Sequence, residues 1–169
     1  MKHKESKTNS LELSTNDEHN SVQSVDAAPV IDSFRGDFSF FSNFYKSTIY
    51  FQGEKYASVE HAYQAYKTLD PHLRKMIQEA PTPGKAKKLG QSVTLRPDWD
   101  SVKIDLMRSL VRKKFENPFM KPLLLATDGA KLVEGNHWGD VFWGVCDGKG
   151  QNWLGKILME VREELKNDE

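Results

Sequence analysis

The segment from Tyr56 to Lys67 carries three polar side chains at a spacing that suits acid–base chemistry. Glu60, Gln64 and Lys67 lie at positions i, i+4 and i+7, so a helix would project a carboxylate, an amide and an amine from one face. The same spacing also fits an ordinary solvated helix face with a ladder of polar side chains. Spacing alone leaves both interpretations open.

The signals around these residues predict a helix that packs on a core. Ser58 stands where an N-cap belongs, which would place Glu60 in the first turn. The Asp70-Pro71 pair predicts the end of the helix. An apolar stripe at helical spacing would anchor it, and the stripe consists of Val59, Ala62, Tyr63, Tyr66 and Leu69.

A glycine-rich turn precedes the last amphipathic helix, which we predict from about Asn152 to Leu165. Gly148 and Gly150 would let backbone N–H groups approach a phosphate, and Lys149 adds a positive charge. The turn lacks the Gly-Lys-Ser/Thr ending of a Walker A loop. A plain turn that begins the helix is the alternative interpretation.

Two tryptophans flank a carboxylate in a second glycine-punctuated loop. Trp138 and Trp143 could stack on a flat ligand such as a nucleobase, and Asp140 could serve as a second carboxylate or bind a ribose. The alternative is that both rings fill the core beneath the loop.

Five basic residues in the helical middle of the chain could meet phosphates, although a solvated surface is the default interpretation. They are Lys85, Lys87, Lys88, Arg96 and Lys114. His61 is predicted to be a structural, hydrogen-bonding histidine. Cys146 is predicted to be a small buried residue.

Composition limits the classes of protein that this chain can represent. The 169 residues include 24 basic and 24 acidic ones, so no strong global field draws the protein toward nucleic acid or membrane. Hydrophobic residues make up 38%, enough for a core. A single cysteine excludes a disulfide framework and fits a cytoplasmic setting. No apolar run approaches the roughly 20 residues that span a bilayer.

The sequence predicts a helix-rich α+β fold in a single compact domain of about six to eight helices with a small antiparallel β element. Residues 1–28 contain no aromatic residue and are rich in polar ones, so we expect a disordered tail, with the domain over 29–169. A hairpin with its turn at Gln52-Gly53-Glu54 is predicted before the Glu60 helix.

Several motifs, taken in order, resemble the NADAR (YbiA-like) family. The resemblance covers residues from about Ile31 to Leu165 and rests on Phe41-Ser42-Asn43-Phe44-Tyr45, Gly53, Ser58 to Lys67, Arg96-Pro97-Asp98-Trp99, Leu123 to Thr127, Leu132-Val133-Glu134, Trp143-Gly144 and Gly148 to Gly155. It implies a one-domain, helix-rich fold and an N-glycosidase that acts on ribosyl or ADP-ribosyl compounds. Two activities are implied: removal of ADP-ribose from guanine bases of nucleic acid, and cleavage of early intermediates of riboflavin synthesis.

The resemblance also implies functional residues. The acidic residue, the lysine and the aspartate of the family's motifs correspond to Glu60, Lys67 and Asp140, which we predict to be catalytic. Substrate binding is assigned to Asn43, Phe44, Gln64, Arg96, Trp99, Trp138, Trp143, Gly148, Lys149, Gly150 and Asn152.

Cleavage of an N-glycosidic bond builds positive charge on the ribose, which a carboxylate stabilises while an acid or base handles water or the leaving base. Glu60 is predicted to fill one of these roles, with Asp140 as its partner. Lys67 either holds Glu60 ionised or attacks the sugar to form an imine. We expect turnover without metal or cofactor, by a monomer without membrane association. A binding module for ADP-ribose or NAD and a non-catalytic nucleic-acid-binding protein are the rival interpretations.

Overall fold

The computed structural model describes residues 27–168, which form a helix-rich α+β fold. This range contains six α-helices, one 3₁₀ helix and three two-stranded sheets, so the predicted fold class is confirmed. The tail predicted over residues 1–28 lies outside the described residues, apart from its last two.

The helices follow the sequence signals closely. Their bounds are α1 Val59–Ala65, α2 Pro71–Gln78, α3 Pro83–Gly90, α4 Trp99–Phe115, α5 Lys121–Leu125 and α6 Trp153–Asn167, with the 3₁₀ helix at Gly36–Phe41. Three side chains cap helix N-termini by accepting backbone N–H bonds: Ser58 from His61, Asp70 from His72 and Leu73, and Thr82 from Lys85. Proline occupies the first turn of α2 and of α3, where its missing N–H costs nothing.

The strands are short and form three separate pairs. Their bounds are β1 Val30–Ile31, β2 Ile49–Phe51, β3 Glu54–Tyr56, β4 Lys131–Leu132, β5 Gly135–Asn136 and β6 Val145–Cys146. The β2–β3 pair is the predicted antiparallel hairpin. The β1–β4 and β5–β6 pairs are parallel, which the sequence did not indicate. Parallel partners are joined through long connections, so no local turn signal marks them.

Helix α1 lies at the centre of the fold. All seven of its residues are buried, with α2, α3 and α4 packed around it. Glu60 is only 6% exposed and Gln64 only 3%, which rules out the interpretation of a solvated polar face. The predicted end of this helix at Asp70-Pro71 is wrong, because α1 ends at Ala65 and Asp70 caps α2 instead. Leu69 therefore lies outside the anchoring stripe and is 60% exposed.

Helix α6 closes the other side of the core. Leu154, Ile157, Leu158, Val161 and Leu165 are buried along it, and it packs on α4. These residues recur at helical spacing, so one face of α6 is apolar throughout.

One buried cation of α6 fixes the turn that precedes β4. The Arg162 guanidinium is 5% exposed and donates from Nη1 to Thr127 O at 2.6 Å and to Ala130 O at 3.0 Å. Water cannot reach these two carbonyl groups to donate a hydrogen bond. The guanidinium of Arg162 therefore satisfies acceptors that would be costly to bury without a donor.

Replacement of Arg162 by Met should therefore destabilise the fold. Each unpaired buried carbonyl costs roughly 1–3 kcal/mol, so we expect the free energy of unfolding to fall by about 2–4 kcal/mol. Urea denaturation measures the change. The matched control is Lys156→Met on the exposed side of the same helix, where surface substitutions shift stability by about 0.5 kcal/mol or less. Equal stability of the two variants would contradict the assigned role of Arg162.

Candidate active site

A cavity of about 530 Å³ opens along one side of α1. This volume falls in the range of roughly 300–1,000 Å³ that is typical of small-molecule sites. Eight of the residues predicted from sequence line it: Asn43, Phe44, Glu60, Gln64, Lys67, Trp138, Asp140 and Trp143. Residues far apart in the chain therefore meet at one concave surface.

Glu60 presents a buried carboxyl group to this cavity. Its backbone N–H donates to Asn43 O at 3.0 Å, which ties the loop after the 3₁₀ helix to the start of α1. Its Oε1 accepts from Gln64 Nε2 at 2.7 Å. Burial raises the pKa of Glu60, while the Gln64 hydrogen bond and the charges of Lys87 and Lys67 act in the opposite direction. A carboxylate with a raised pKa is a better base than one on the surface.

Gln64 is held in place by a close approach between two helices. A Cβ at Gly90 would overlap the Gln64 side chain, so only glycine allows α3 to pack at this distance. Gly90 is the last residue of α3, and Gln91 is the C-cap.

Lys67 follows the end of α1 and reaches the cavity between two aromatic rings. Its Nζ lies 5.6 Å from the centre of the Tyr63 ring and 5.9 Å from that of Trp99. Burial lowers the pKa of Lys67, and the neighbouring Glu60 charge opposes this effect. The amine is thus closer to its neutral form than an exposed lysine. Trp99 is buried next to the Lys67 amine and does not line the cavity.

Asp140 lies on the loop that follows β5 and is locked by its surroundings. Its Oδ1 accepts the backbone N–H groups of Phe142 at 3.1 Å and Trp143 at 2.9 Å. The Asn136 side-chain amide donates to Asp140 O at 2.7 Å and accepts from Asp140 N at 3.0 Å. These bonds orient the carboxylate at the cavity that Asp140 lines.

Two exposed aromatic rings stand at the mouth of the cavity, each beside a cation. Trp138 is 52% exposed, with the Arg35 guanidinium 5.4 Å from its ring centre. Phe44 is 42% exposed, with Lys87 Nζ 5.8 Å from its ring centre. Both cations line the cavity. Trp143, in contrast, packs edge-on against Tyr63 at 5.5 Å and joins the core to the cavity wall.

Six predicted binding residues lie away from the cavity lining: Arg96, Trp99, Gly148, Lys149, Gly150 and Asn152. The Arg96 guanidinium pairs with Asp98 through bonds of 2.5 and 2.9 Å. Gly148 and Gly150 have φ angles of 74° and 150°, and a Cβ at Gly150 would overlap Gly144 O. The turn thus has the geometry expected of a plain turn that begins the last helix.

Asn152 has a structural position as well. Its φ of 53° is left-handed, its Nδ2 donates to Leu132 O at 2.9 Å, and its Oδ1 accepts from Glu134 N at 2.9 Å. This side chain therefore connects the start of α6 to the β4–β5 segment, one layer behind the cavity.

The sequence patterns predicted no site role for Glu134 and, by default, a surface position for Lys114. Glu134 lines the cavity, and burial together with Asp140 raises its pKa to about 7. Lys114, which we expected on the surface, is 1% exposed and donates to Ser42 O at 2.8 Å. Burial lowers its pKa to about 7. Lys114 sits among buried residues of α4, and that spacing was the available signal.

Two smaller predictions have opposite outcomes. His61 is structural as expected, because its Nε2 donates to Ala80 O at 3.0 Å and its Nδ1 lies 2.8 Å from Ser58 Oγ. Cys146 is only half-buried, so its prediction as a buried residue is wrong; its Sγ donates to Asp147 Oδ2 at 3.8 Å.

Among residues 27–168, no three His, Cys, Asp or Glu side chains are grouped to hold a metal ion. The same part of the chain has no helix with the length and apolar character of a membrane span.

Comparison with known proteins assigns the family. Residues 33–166 match the model of the NADAR domain. The chain belongs to the NADAR family.

Relatives of this NADAR protein support the assignment. The chain is 43% identical over 133 residues to N-glycosidase YbiA of Escherichia coli strain K12, covering 76% of this chain and 82% of that protein. It is 45% identical to N-glycosidase Npun_R5314 of Nostoc punctiforme, covering 75% and 85%. A riboflavin biosynthesis protein of Vibrio vulnificus is 40% identical, covering 75% of this chain and 35% of the relative.

The fold of this NADAR protein also matches a solved structure. The NMR structure of E. coli YbiA superimposes with a TM-score of 0.77 at 39% identity, covering 88% of this chain and 91% of that one. The resemblance stated from sequence motifs is confirmed, as is the prediction of an enzyme of the N-glycosidase class.

The close packing at Gly90 generates a prediction. Gly90→Ala should push Gln64 away from Glu60, because the added Cβ overlaps the Gln64 side chain. Overpacking of this kind costs about 1–3 kcal/mol of unfolding free energy, and misplacement of the carboxyl group should lower N-glycosidase activity at least tenfold.

The matched control for Gly90→Ala is Gly84→Ala in the same helix. At Gly84 the nearest atom to an added Cβ is Thr82 Oγ1 at 4.0 Å, so the variant should fold and turn over normally. Urea denaturation and activity assays compare the two. Full activity of Gly90→Ala would contradict the positioning of Glu60 through Gln64.

Proposed function

We propose that this NADAR protein hydrolyses the C1′–N bond of phosphorylated ribosyl compounds and removes ADP-ribose from guanine bases of nucleic acid or nucleotides. One observation carries the proposal: a buried carboxyl group, Glu60, faces a nucleotide-sized cavity together with a desolvated lysine and a second carboxylate. That set supplies a base, a nucleophile and a group that stabilises positive charge on the sugar.

Glu60 is the base in this proposal. Its burial, with Gln64 donating to one oxygen, leaves a carboxyl group whose pKa is raised toward neutral pH. Such a group can take the proton of an attacking water, as Brønsted behaviour requires of a base that works near pH 7. Asp140 faces the same cavity and stabilises the oxocarbenium character that develops as the C1′–N bond lengthens.

Lys67 can act by either of two routes. As an ammonium it would stabilise the Glu60 carboxylate. As a neutral amine it would displace the base from C1′, and loss of an amine proton with opening of the C1′–O4′ bond would give an imine, which water then hydrolyses as the ring closes again. Burial lowers the pKa of Lys67 and favours the neutral amine, whereas the faces of the Tyr63 and Trp99 rings attract the ammonium form. The net reaction is the same in both routes: water adds an OH to C1′ and the proton to the leaving nitrogen.

The mouth of the cavity supports a substrate that carries both phosphate and a nucleobase. Arg35 and Lys87 place two cations at the mouth, where they can pair with phosphate oxygens. Trp138 and Phe44 offer exposed ring faces on which bases can stack. Compounds with an adenosine diphosphate group combine both features.

A second candidate substrate is the phosphoribosylamino-pyrimidine type of intermediate in riboflavin synthesis. The name of the Vibrio vulnificus relative favours it. Such a molecule also carries a C1′–N bond and a phosphate, so the same catalytic groups would serve. A cytoplasmic enzyme would meet both types of substrate.

The rival from another class is a module that binds ADP-ribose or NAD without turnover, which would use the same rings and cations. Product analysis separates the two. Purified protein should release free guanine from ADP-ribosylated guanine oligonucleotide, detected by mass spectrometry, with ribosylamino-pyrimidines assayed in parallel. Release only from the pyrimidines would support the second candidate, and binding without release from either would support the module.

Replacement of Glu60 by Gln tests the base. The substitution keeps the shape of the side chain and removes its ability to take a proton, so kcat should fall by about 10²–10⁴-fold. The matched control is Glu79→Gln, which changes an exposed carboxylate on the surface. A Glu60→Gln variant that works at the wild-type rate would remove Glu60 from the mechanism.

Replacement of Lys67 by Arg tests the nucleophile. Arginine keeps the positive charge and cannot form an imine, so activity should fall about 100-fold or more if the amine attacks the sugar. Borohydride added during turnover should trap wild-type protein as a covalent sugar adduct, seen as a mass increase. Full activity of Lys67→Arg, with no trapped adduct in the wild type, would exclude the imine route and leave Lys67 its electrostatic role.

A further inference from the structure

We infer that Glu134 is the acid that protonates the leaving nitrogen as the C1′–N bond breaks. This inference rests on the proposed function and adds to it a third carboxyl group, one that the sequence motifs did not single out as catalytic. Glu134 qualifies as a catalytic residue by position, because it lines the cavity that Glu60, Lys67 and Asp140 share.

The backbone of Glu134 is held from both sides. Its N–H donates to Asn152 Oδ1 at 2.9 Å, and its carbonyl accepts from Val145 N at 2.8 Å. Its side chain packs on Gly144, where an added Cβ would lie 3.0 Å from Glu134 Cγ and would overlap Glu134 O. The carboxyl group is thus presented by a rigid frame, as a proton donor requires.

The carboxyl group of Glu134 differs from that of Glu60 in its hydrogen bonds. Glu134 Oε2 is buried and accepts no hydrogen bond from the described residues, whereas Glu60 Oε1 accepts from Gln64. A carboxylate that receives donors is stabilised in its ionised form, and a buried oxygen without a donor favours the protonated acid. When protonated, the Glu134 carboxyl group can donate its O–H to an acceptor in the cavity.

The charges around Glu134 are mixed. Burial raises its pKa most, and Asp140 raises it further, whereas Arg35, Lys114 and Lys87 act in the opposite direction. The outcome is a pKa of about 7. A group with this pKa holds a proton in a large fraction of molecules at neutral pH and loses it readily, which suits a general acid.

Two proton transfers accompany cleavage of the C1′–N bond. The C1′–N bond breaks with its electron pair going to nitrogen, and the Glu134 proton moves to that nitrogen, so the base leaves neutral. The oxygen of a water molecule forms a bond to C1′, and the Glu60 carboxylate takes a proton from that water. Glu134 ends ionised and Glu60 protonated, and exchange of one proton with solvent returns both to their starting states.

Glu134→Gln tests the inference, because glutamine keeps the shape and packing on Gly144 and cannot act as an acid. We expect kcat to fall about 100-fold with little change in KM, while Glu79→Gln keeps the wild-type rate. A kcat within threefold of wild type would overturn the inference. If the wild-type protein shows no turnover at all, the proposed function is overturned. Failure of the inference and failure of the proposed function therefore give different results.

The pH dependence of kcat separates a catalytic role of Glu134 from a structural one, because a structural role would leave the shape of the profile unchanged. The acid must be protonated, so wild-type kcat should decline as pH rises through about 7, and this alkaline limb should vanish in Glu134→Gln. The buried Lys114 titrates in the same range. An alkaline limb that persists in Glu134→Gln would overturn the inference and assign the limb to another group such as Lys114.

A second variant decides the matter if Glu134→Gln does not fold, as judged by its circular dichroism and thermal unfolding. Glu134→Ala leaves space in which formic acid can stand in for the missing carboxyl group. Added formate should raise the rate of this variant at least tenfold without affecting Glu79→Gln. No response to formate would overturn the inference.

Discussion

The site depends on the burial of a carboxyl–amide pair inside a helix that is enclosed on all sides. Glu60 and Gln64 are polar residues of α1, yet the fold leaves them 6% and 3% exposed. Burying a carboxyl group is costly unless hydrogen bonds and nearby charges compensate, and here Gln64, Lys67 and Lys87 do so. The same burial moves the pKa values of Glu60 and Lys67 toward each other, which is the condition for acid–base and nucleophilic chemistry near neutral pH.

The surrounding elements serve to hold that pair and to complete the cavity. Gly90 lets α3 approach closely enough to fix Gln64, and Asn43 O anchors the first turn of α1. The β4–β6 region supplies the opposite wall, where the Asn136 side chain donates to Asp140 O and the Asn152 side chain accepts from Glu134 N. Side-chain amides that satisfy backbone groups in this way help to hold short strands and loops in one conformation.

Much of this arrangement could be predicted from the sequence because its signals are local. The Ser58 cap, the spacing of Glu60, Gln64 and Lys67, and the hairpin turn are properties of neighbouring residues. The position of Glu134 could not be found in this way, since the parallel β5–β6 pair and the packing on Gly144 bring it to the cavity. The glycine-rich turn stayed ambiguous for the same reason: a loop that can cradle phosphate and one that packs on Gly144 have the same composition.

The most direct test of the account is a crystal structure of the Glu60→Gln variant with intact ADP-ribosyl guanosine. We predict that the scissile C1′–N bond lies in the cavity within contact of the side chains at positions 60 and 134, with phosphate oxygens beside Arg35 and Lys87. A substrate bound elsewhere on the protein, or one whose C1′ lies beyond reach of position 60, would contradict the claim that the enclosed carboxyl group of α1 acts on the sugar–nitrogen bond.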